Sequence, residues 1–419
     1  MNDDNELRDR LGRELHQRAD GIHDAPLTLA DVKGTAGSIR RTRRLATAAG
    51  VAAVVAVIVP VAIFASQGLG QSDSLPPASN SQLPTPTRTA DSSAPSPEPT
   101  PPTSAPSPGA VPGSALDGAF PTGPPPALPY LDGKQLISHD RAPVDLPQAY
   151  DSFTMVGDRF VGIYSDVNGE RMVDIVEGDG SVSLTEPVEG GLALSDIGTT
   201  VAYGTPAGTI ETVWADDQVQ LANNLGEPVS VAAVVGNGSC HEVDGGCRVF
   251  FNSNTGGTPR AADSHGIVDE FMKGALKVND ISPTGLIAVM TSAADETSCS
   301  GVYNEQNQRF VFKTCDNTLQ TFSPDGGRLL AGPDYLDGIG DGSLAILDTA
   351  TGDPVAQFEI DGGYIAGAQW EDDDHALVIV HTDDVGWRIL RVGVDGSVEM
   401  AAGPKVTVDD TQRPYFLPS

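Results

Sequence analysis

Hydrophobic and polar positions follow three different patterns along the chain, and each predicts a different structure. From Leu45 to Ser66 the chain is apolar or weakly polar throughout and carries no charge. About 20 such residues cross a hydrocarbon core of roughly 30 Å as a helix, and Pro60 is tolerated in a membrane helix. Residues 67–129 have few large apolar side chains, and prolines at 76, 77, 84, 86, 95, 97, 99, 101, 102, 106 and 108 withhold the backbone donors a helix or sheet needs. That composition predicts a disordered, polyproline-rich stalk. Residues 130–419 break into short apolar runs, among them 160–164, 173–176, 229–235, 248–251, 286–290, 344–347, 376–381 and 387–392, with no sustained 3.6-residue period. Asp-Gly pairs at Asp132, Asp179, Asp244, Asp325, Asp337, Asp341, Asp361 and Asp395 separate many of them. Runs of this length between turn signals predict strands, so the last segment reads as all-β.

The flanks of the apolar run give its orientation. Arg40, Arg41, Arg43 and Arg44 precede it, and the first base after it is Arg88. The positive-inside rule puts residues 1–44 in the cytoplasm and everything after residue 66 outside, as a single-pass protein of the cell membrane. A cleaved signal peptide is the rival reading. It fits less well, because 44 residues precede the run and Ile63 stands three before a cut after Ala65. Residues 5–20, with Leu7, Leu11 and Leu15 spaced by four, predict a short amphipathic helix, either solvated or docking a cytoplasmic partner.

Within 130–419 a plan repeats every 40–50 residues. Its clearest copy is Phe322, Ser323, Pro324, Asp325, Gly326 before the apolar strand at 328–331, then a second strand at 344–347 and a polar turn at 348–352. Weaker copies begin near Phe153, Leu194, Ile281 and Trp370, and 225–275 is the least regular stretch. The phrase Phe322 to Gly326 resembles the blade motif of TolB-like and WD40-like bacterial propellers, with TolB-like the better comparison because Gly-His openings and Trp-Asp endings are missing. The resemblance implies a six- to seven-bladed β-propeller, with 130–149 and 404–412 expected to close the ring. It is nearly silent on function, since propellers host unrelated activities.

Charge and cysteine narrow the chemistry. The formal net charge is −32, and residues 130–419 hold 15 Lys and Arg against 45 Asp and Glu. So acidic a domain argues against nucleic acid and against lying on anionic lipid. Cys240, Cys247, Cys299 and Cys315 all fall beyond the apolar run, where an oxidising compartment favours disulfides. Of the three possible connectivities, the short-loop pairs Cys240–Cys247 and Cys299–Cys315 are expected. Zinc spacing is not present. Two acidic stretches are candidate Ca²⁺ loops: Asp334, Asp337 and Asp341 with interleaved glycines, and Asp372, Asp373 and Asp374 after Glu371. The alternative for both is solvated turn acids, and no other cofactor is expected. No nucleophile elbow, P-loop or dinucleotide fingerprint occurs, so no catalytic residue is assigned.

The function expected is therefore a non-enzymatic, membrane-anchored binding or scaffold module for an extracytoplasmic protein, peptide or glycan. One alternative is a transmembrane signalling component acting through residues 5–20. Residues 1–66 resemble bacterial membrane proteins associated with sigma-factor regulation, but the zinc-binding motif of anti-sigma proteins is missing. The other is a propeller hydrolase or lyase with a carboxylate or calcium site.

Overall fold

The computed structural model describes residues 111–215, 217–236, 240, 246–266, 268–294, 297–334, 340–407 and 412–419. The expected membrane span 45–66, the cytoplasmic helix 5–20 and most of the stalk lie outside these residues. Among the described residues no helix is long and apolar enough to cross a membrane.

The described residues open with β1 (Val111–Ala115), followed by β2 (Tyr130–Asp132), β3 (Gln135–Ser138) and β4 (Arg141–Asp145). Six four-stranded antiparallel meanders then follow in strict order. Blade one comprises β5 (Ser152–Val156), β6 (Arg159–Ser165), β7 (Arg171–Val176) and β8 (Val182–Pro187). Blade two has β9 (Glu189–Leu194), β10 (Val201–Gly204), β11 (Ile210–Val213) and β12 (Gln218–Ala222). Blade three has β13 (Val229–Val235), β14 (Arg248–Ser253), β15 (Arg260–Asp263) and β16 (Val268–Glu270). Blade four has β17 (Lys277–Ile281), β18 (Leu286–Ala294), β19 (Thr297–Asn304) and β20 (Arg309–Thr314). Blade five has β21 (Asn317–Phe322), β22 (Arg328–Pro333), β23 (Ser343–Asp348) and β24 (Pro354–Glu359). Blade six has β25 (Gly363–Trp370), β26 (His375–Thr382), β27 (Gly386–Gly393) and β28 (Val398–Lys405). The last strand, β29 (Tyr415–Phe416), pairs with β2, so the order β29-β2-β3-β4 makes blade seven from both ends of the described chain.

The propeller thus has seven blades, and its closing strand is 415–416 rather than the expected 404–412. Residues 398–405 are instead the outer strand of blade six. The irregularity at 225–275 also has a cause. Blade three carries a long connection between its first two strands, containing the Cys240–Cys247 disulfide, which obscures the repeat.

Seven apolar clusters hold the ring, one in each seam between neighbouring blades. Tyr203 and Ile163 lie between blades one and two, Phe251 and Ile210 between two and three, and Val278 and Phe250 between three and four. Leu319 and Leu347 fill the seam between four and five, and Phe358 and Trp370 that between five and six. Trp387 meets Tyr415 between six and seven, and Leu131 meets Phe153 between seven and one. Fully burying one such side chain contributes about 1.5–3 kcal/mol. The strand runs look continuously apolar because both faces of a blade are covered, as in 386–393, where every residue is buried.

Residues 111–129, expected as stalk, belong to the propeller. β1 pairs in parallel with the outer edge of β24, Leu116 is fully buried in the seam between blades five and six, and Thr122 bridges to Met400 on the outer edge of β28. The sequence hides this, because 115–129 buries only Leu116 and Pro126 and otherwise reads as linker.

Candidate binding faces of the ring

In a ring of antiparallel meanders, the turns after first and third strands fall on one face. The connections after second and fourth strands fall on the other. The repeated Ser-x-x-Gly turns all belong to the first face. Ser195, Ser282 and Ser323 are buried at 3%, 1% and 1% exposure. Each backbone carbonyl accepts from the glycine three residues on, Gly198, Gly285 and Gly326, which sit at φ of 71°, 79° and 75°. Each Oγ accepts from a backbone N–H at the start of the next strand or just before it, at Thr200, Leu286 and Arg328. Glycine is needed because positive φ costs it nothing, and serine because its hydroxyl satisfies an otherwise orphaned strand donor. The motif the sequence displays most clearly is therefore turn chemistry.

The candidate metal acids are distributed rather than convergent. Asp334 is held towards blade four, its carbonyl accepting from the Ser298 N–H at 3.1 Å and the Ser298 Oγ at 2.9 Å. Asp341 is held to blade six by two backbone bonds with Ile365, and its Oδ2 lies 3.4 Å from Gln320 Nε2. Burial pushes its carboxyl up from the ordinary range. Asp337 lies outside the described residues. In the second stretch, Asp372 Oδ1 caps a turn, accepting from the N–H groups of Asp374 and His375 at 2.8 and 2.7 Å. Asp373 Oδ1 accepts from the Asp325 N–H at 2.8 Å, tying the turn of blade six to that of blade five. The backbone carbonyl of Asp374 accepts from Val394 at 2.9 Å. Among the described residues no three His, Cys, Asp or Glu side chains group as a metal site would require. The disulfides join Cys240 to Cys247 and Cys299 to Cys315.

Several influential polar residues carry no sequence signature. Glu371, 3% exposed in its side chain, forms a buried ion pair with Arg391, which also pairs with Glu399. These carboxylates hold the Arg391 guanidinium firmly protonated. Asp280 on β17 accepts from the Phe322 N–H of the next blade at 2.7 Å. Desolvation outweighs that bond and pushes its carboxyl up to about 7. Asn252 makes a reciprocal pair with the backbone of Val278 at 2.9 and 2.8 Å, and Asn279 donates to the Leu319 carbonyl at 2.7 Å. Arg413 donates to the carbonyls of Tyr415 and Ala366 at 2.6 and 2.8 Å, joining blades seven and six. Burial lowers its guanidinium to about 10. Beside it, burial raises the carboxyl of Asp151 against the opposing pull of Arg171 and Arg413.

Eight of the 15 bases in residues 130–419 form ion pairs among the described residues. Arg159 pairs with Glu177 at 2.9 Å, Arg171 with Asp151 at 3.5 Å, Arg248 with Glu305 at 2.8 Å and Arg328 with Asp348 at 3.1 Å. Arg260 pairs with Glu227, Lys405 with Asp132 and Arg141 with Asp140 at 3.8 Å, beside the Arg391 pairs above. Over residues 130–419 acids outnumber bases by 45 to 15.

No protein-family model matches the chain, and no curated protein matches it. Among solved structures it is similar to the Dos1 propeller, at 13% identity and a TM-score of 0.42, over 59% of this chain and 68% of that one. It is also similar to the Cps50 (Swd1) β-propeller domain of Myceliophteria thermophila, at 10% identity and a TM-score of 0.41, over 61% of this chain and 87% of that one. At these identities the likeness is one of fold. The seven-bladed architecture rests on the sheet order itself.

Proposed function

We propose that the chain is a non-catalytic binding module, a TolB-like propeller held outside the membrane by the span 45–66, and that its partner is a basic protein or peptide. The observation that carries the reading is the charge balance. Residues 130–419 have three acids for every base, and eight of the 15 bases are already paired with acids of the ring. A partner bearing lysine and arginine gains from such a surface, and the field speeds its encounter. The apolar run and the arginines before it support the anchored placement. Of the acids considered for calcium, Asp372 and Asp373 accept backbone N–H bonds through their carboxylates and Asp341 meets Gln320, which favours binding over hydrolysis.

The test uses the full chain purified in detergent micelles. It is immobilised and exposed to a cationic peptide, its charge-reversed counterpart and neutral oligosaccharides at low and high salt. Saturable binding of the cationic peptide alone, weakening as salt rises, is expected. Equal binding of the charge-reversed peptide would overturn the basic-partner reading. For the anchor, protease added to intact cells is expected to remove the propeller and leave residues 1–66 in the membrane fraction.

A further inference from the structure

The segment 111–129 stands apart from the blades it covers. Ring closure does not use it, because β29 pairs with β2 and seals blade seven downstream of the segment. It runs along the outside of blades five and six, adding β1 to the edge of β24 through Val111, Pro112 and Ala115. It then touches β28 through two backbone bonds, Gly123 N–H to the Met400 carbonyl at 2.9 Å and Met400 N–H to the Pro121 carbonyl at 2.8 Å. Pro112, Pro121, Pro124, Pro125 and Pro126 bring no donor, so no continuous ladder forms.

Two arginines of β27 take up its carbonyls instead. Arg388, 3% exposed, donates to Gly118 at 2.8 Å and Leu116 at 3.1 Å and lies over the Phe120 ring at 5.6 Å. Arg391 donates to Pro124 and Pro125, both at 3.2 Å. The two differ in a telling way. Arg391 is balanced by Glu371 and Glu399 whether or not the segment is present. Among the described residues Arg388 is not held by an ion pair, and its buried Nε has no hydrogen-bond partner. Desolvation lowers its guanidinium, opposed only by the charge of Asp117 within the segment. Covering Arg388 therefore costs desolvation that uncovering returns, offset by its two carbonyl bonds, and the rest of the hold comes from the buried Leu116 and Pro126, the Arg391 bonds and a few backbone bonds such as Leu116 N–H to the Glu359 carbonyl and Ala127 N–H to Glu371.

We propose that residues 111–129 form a releasable strap, which detaches as a unit while the seven-bladed ring stays closed and so uncovers the β24 edge and the Leu116 socket. The segment continues directly into the stretch leading from the apolar run, so a pull on that stretch reaches the strap before any blade. A freed β24 edge presents unpaired backbone groups, the feature by which sheets accept an added strand.

Hydrogen exchange read by mass spectrometry on the full chain in micelles tests this. Peptides covering 115–128 and β24 are expected to exchange at least about 100-fold faster than those of β10 and β14, with a weaker denaturant dependence, as sub-global opening requires. Replacing Ala115 and Glu359, register partners on the adjacent strands β1 and β24, with cysteines to form a disulfide should slow the strap without altering the ring. Arg388→Gln, which needs no new bond to form, should change strap exchange and leave blades one to four untouched. Strap and ring exchanging together with one denaturant dependence would overturn the proposal, as would a cross-linked strap that still exchanges fast.

Discussion

At the residue scale, the polar groups that matter most are those placed against a neighbouring blade. Asp280 is the clearest case. Its native carboxyl titrates near 7 against an ordinary 3.8. Between those values the native state holds a proton that the unfolded chain has released, so this group makes stability fall as pH rises from about 4 to about 7. Asp280→Asn keeps an oxygen to accept from Phe322 and cannot ionise. It is expected to raise the melting temperature at pH 8, gaining about 1–3 kcal/mol, and to flatten the pH profile between 4 and 7. A variant no more stable than the parent at pH 8 would mean that Asp280 is not desolvated. Ser323 makes a different point. Its Oγ donates to Asp325 Oδ1 at 2.6 Å and accepts from the Arg328 N–H at 2.9 Å, and Ser323 itself is 1% exposed. Ser323→Ala is expected to cost about 1–2 kcal/mol in a denaturant titration, the usual penalty of orphaning a buried donor. Serine in such a turn was legible from the Ser-Pro-Asp-Gly phrase. Asp280 was not, because what raises its carboxyl is the seam with a strand some forty residues away.

At the scale of elements, strands and their turns were legible where a blade follows the plain meander, and obscured where something is added. Blade five repeats cleanly because its turns are short. Blade three does not, because the disulfide connection lengthens it, and 111–129 reads as stalk because its burial rests on Leu116 and Pro126. The acidic run 371–374 looked like one site and is three devices: an ion pair at Glu371, a turn cap at Asp372 and a blade-to-blade tie at Asp373. Spacing along the chain does not reveal that neighbouring acids point to different partners. Substitutions separate these roles. Glu371→Ala leaves Arg391 buried beside Glu399 alone and deprives the Ala127 N–H of its acceptor at 2.5 Å. It is expected to cost about 2–4 kcal/mol, whereas Asp374→Ala, at the exposed end of the turn, should cost less than about 0.5 kcal/mol. Thermal melts of the pair check this; equal losses would mean that the run acts as one cluster.

For the whole molecule, closure of the ring is the cooperative event. The seven seams are equivalent in kind, so no blade has a complete core without both neighbours, and the seam that closes last controls the rest. That seam is made by a short strand. Tyr415 is 3% exposed between blades six and seven, and Leu417 at 9% joins the same cluster. Arg413 donates to Ala366, and the Ser419 N–H donates to the Phe153 carbonyl of blade one at 2.8 Å. Removing 413–419 therefore strips blade seven of its inner strand and opens two seams at once. Removing 1–129 takes away the strap, one buried leucine and the cover of one strand edge. The two truncations should behave unlike each other despite the far greater length of the second. The chain lacking 413–419 is expected to lose its cooperative melt and bind a hydrophobic dye, because unclosed seams expose apolar faces. The chain beginning at residue 130 is expected to keep a single cooperative transition, lowered by the roughly 2–3 kcal/mol that Leu116 burial contributes. Calorimetry of both checks this. If the shorter truncation melted cooperatively and the longer one did not, closure would lie with the strap, and the last strand would be an accessory.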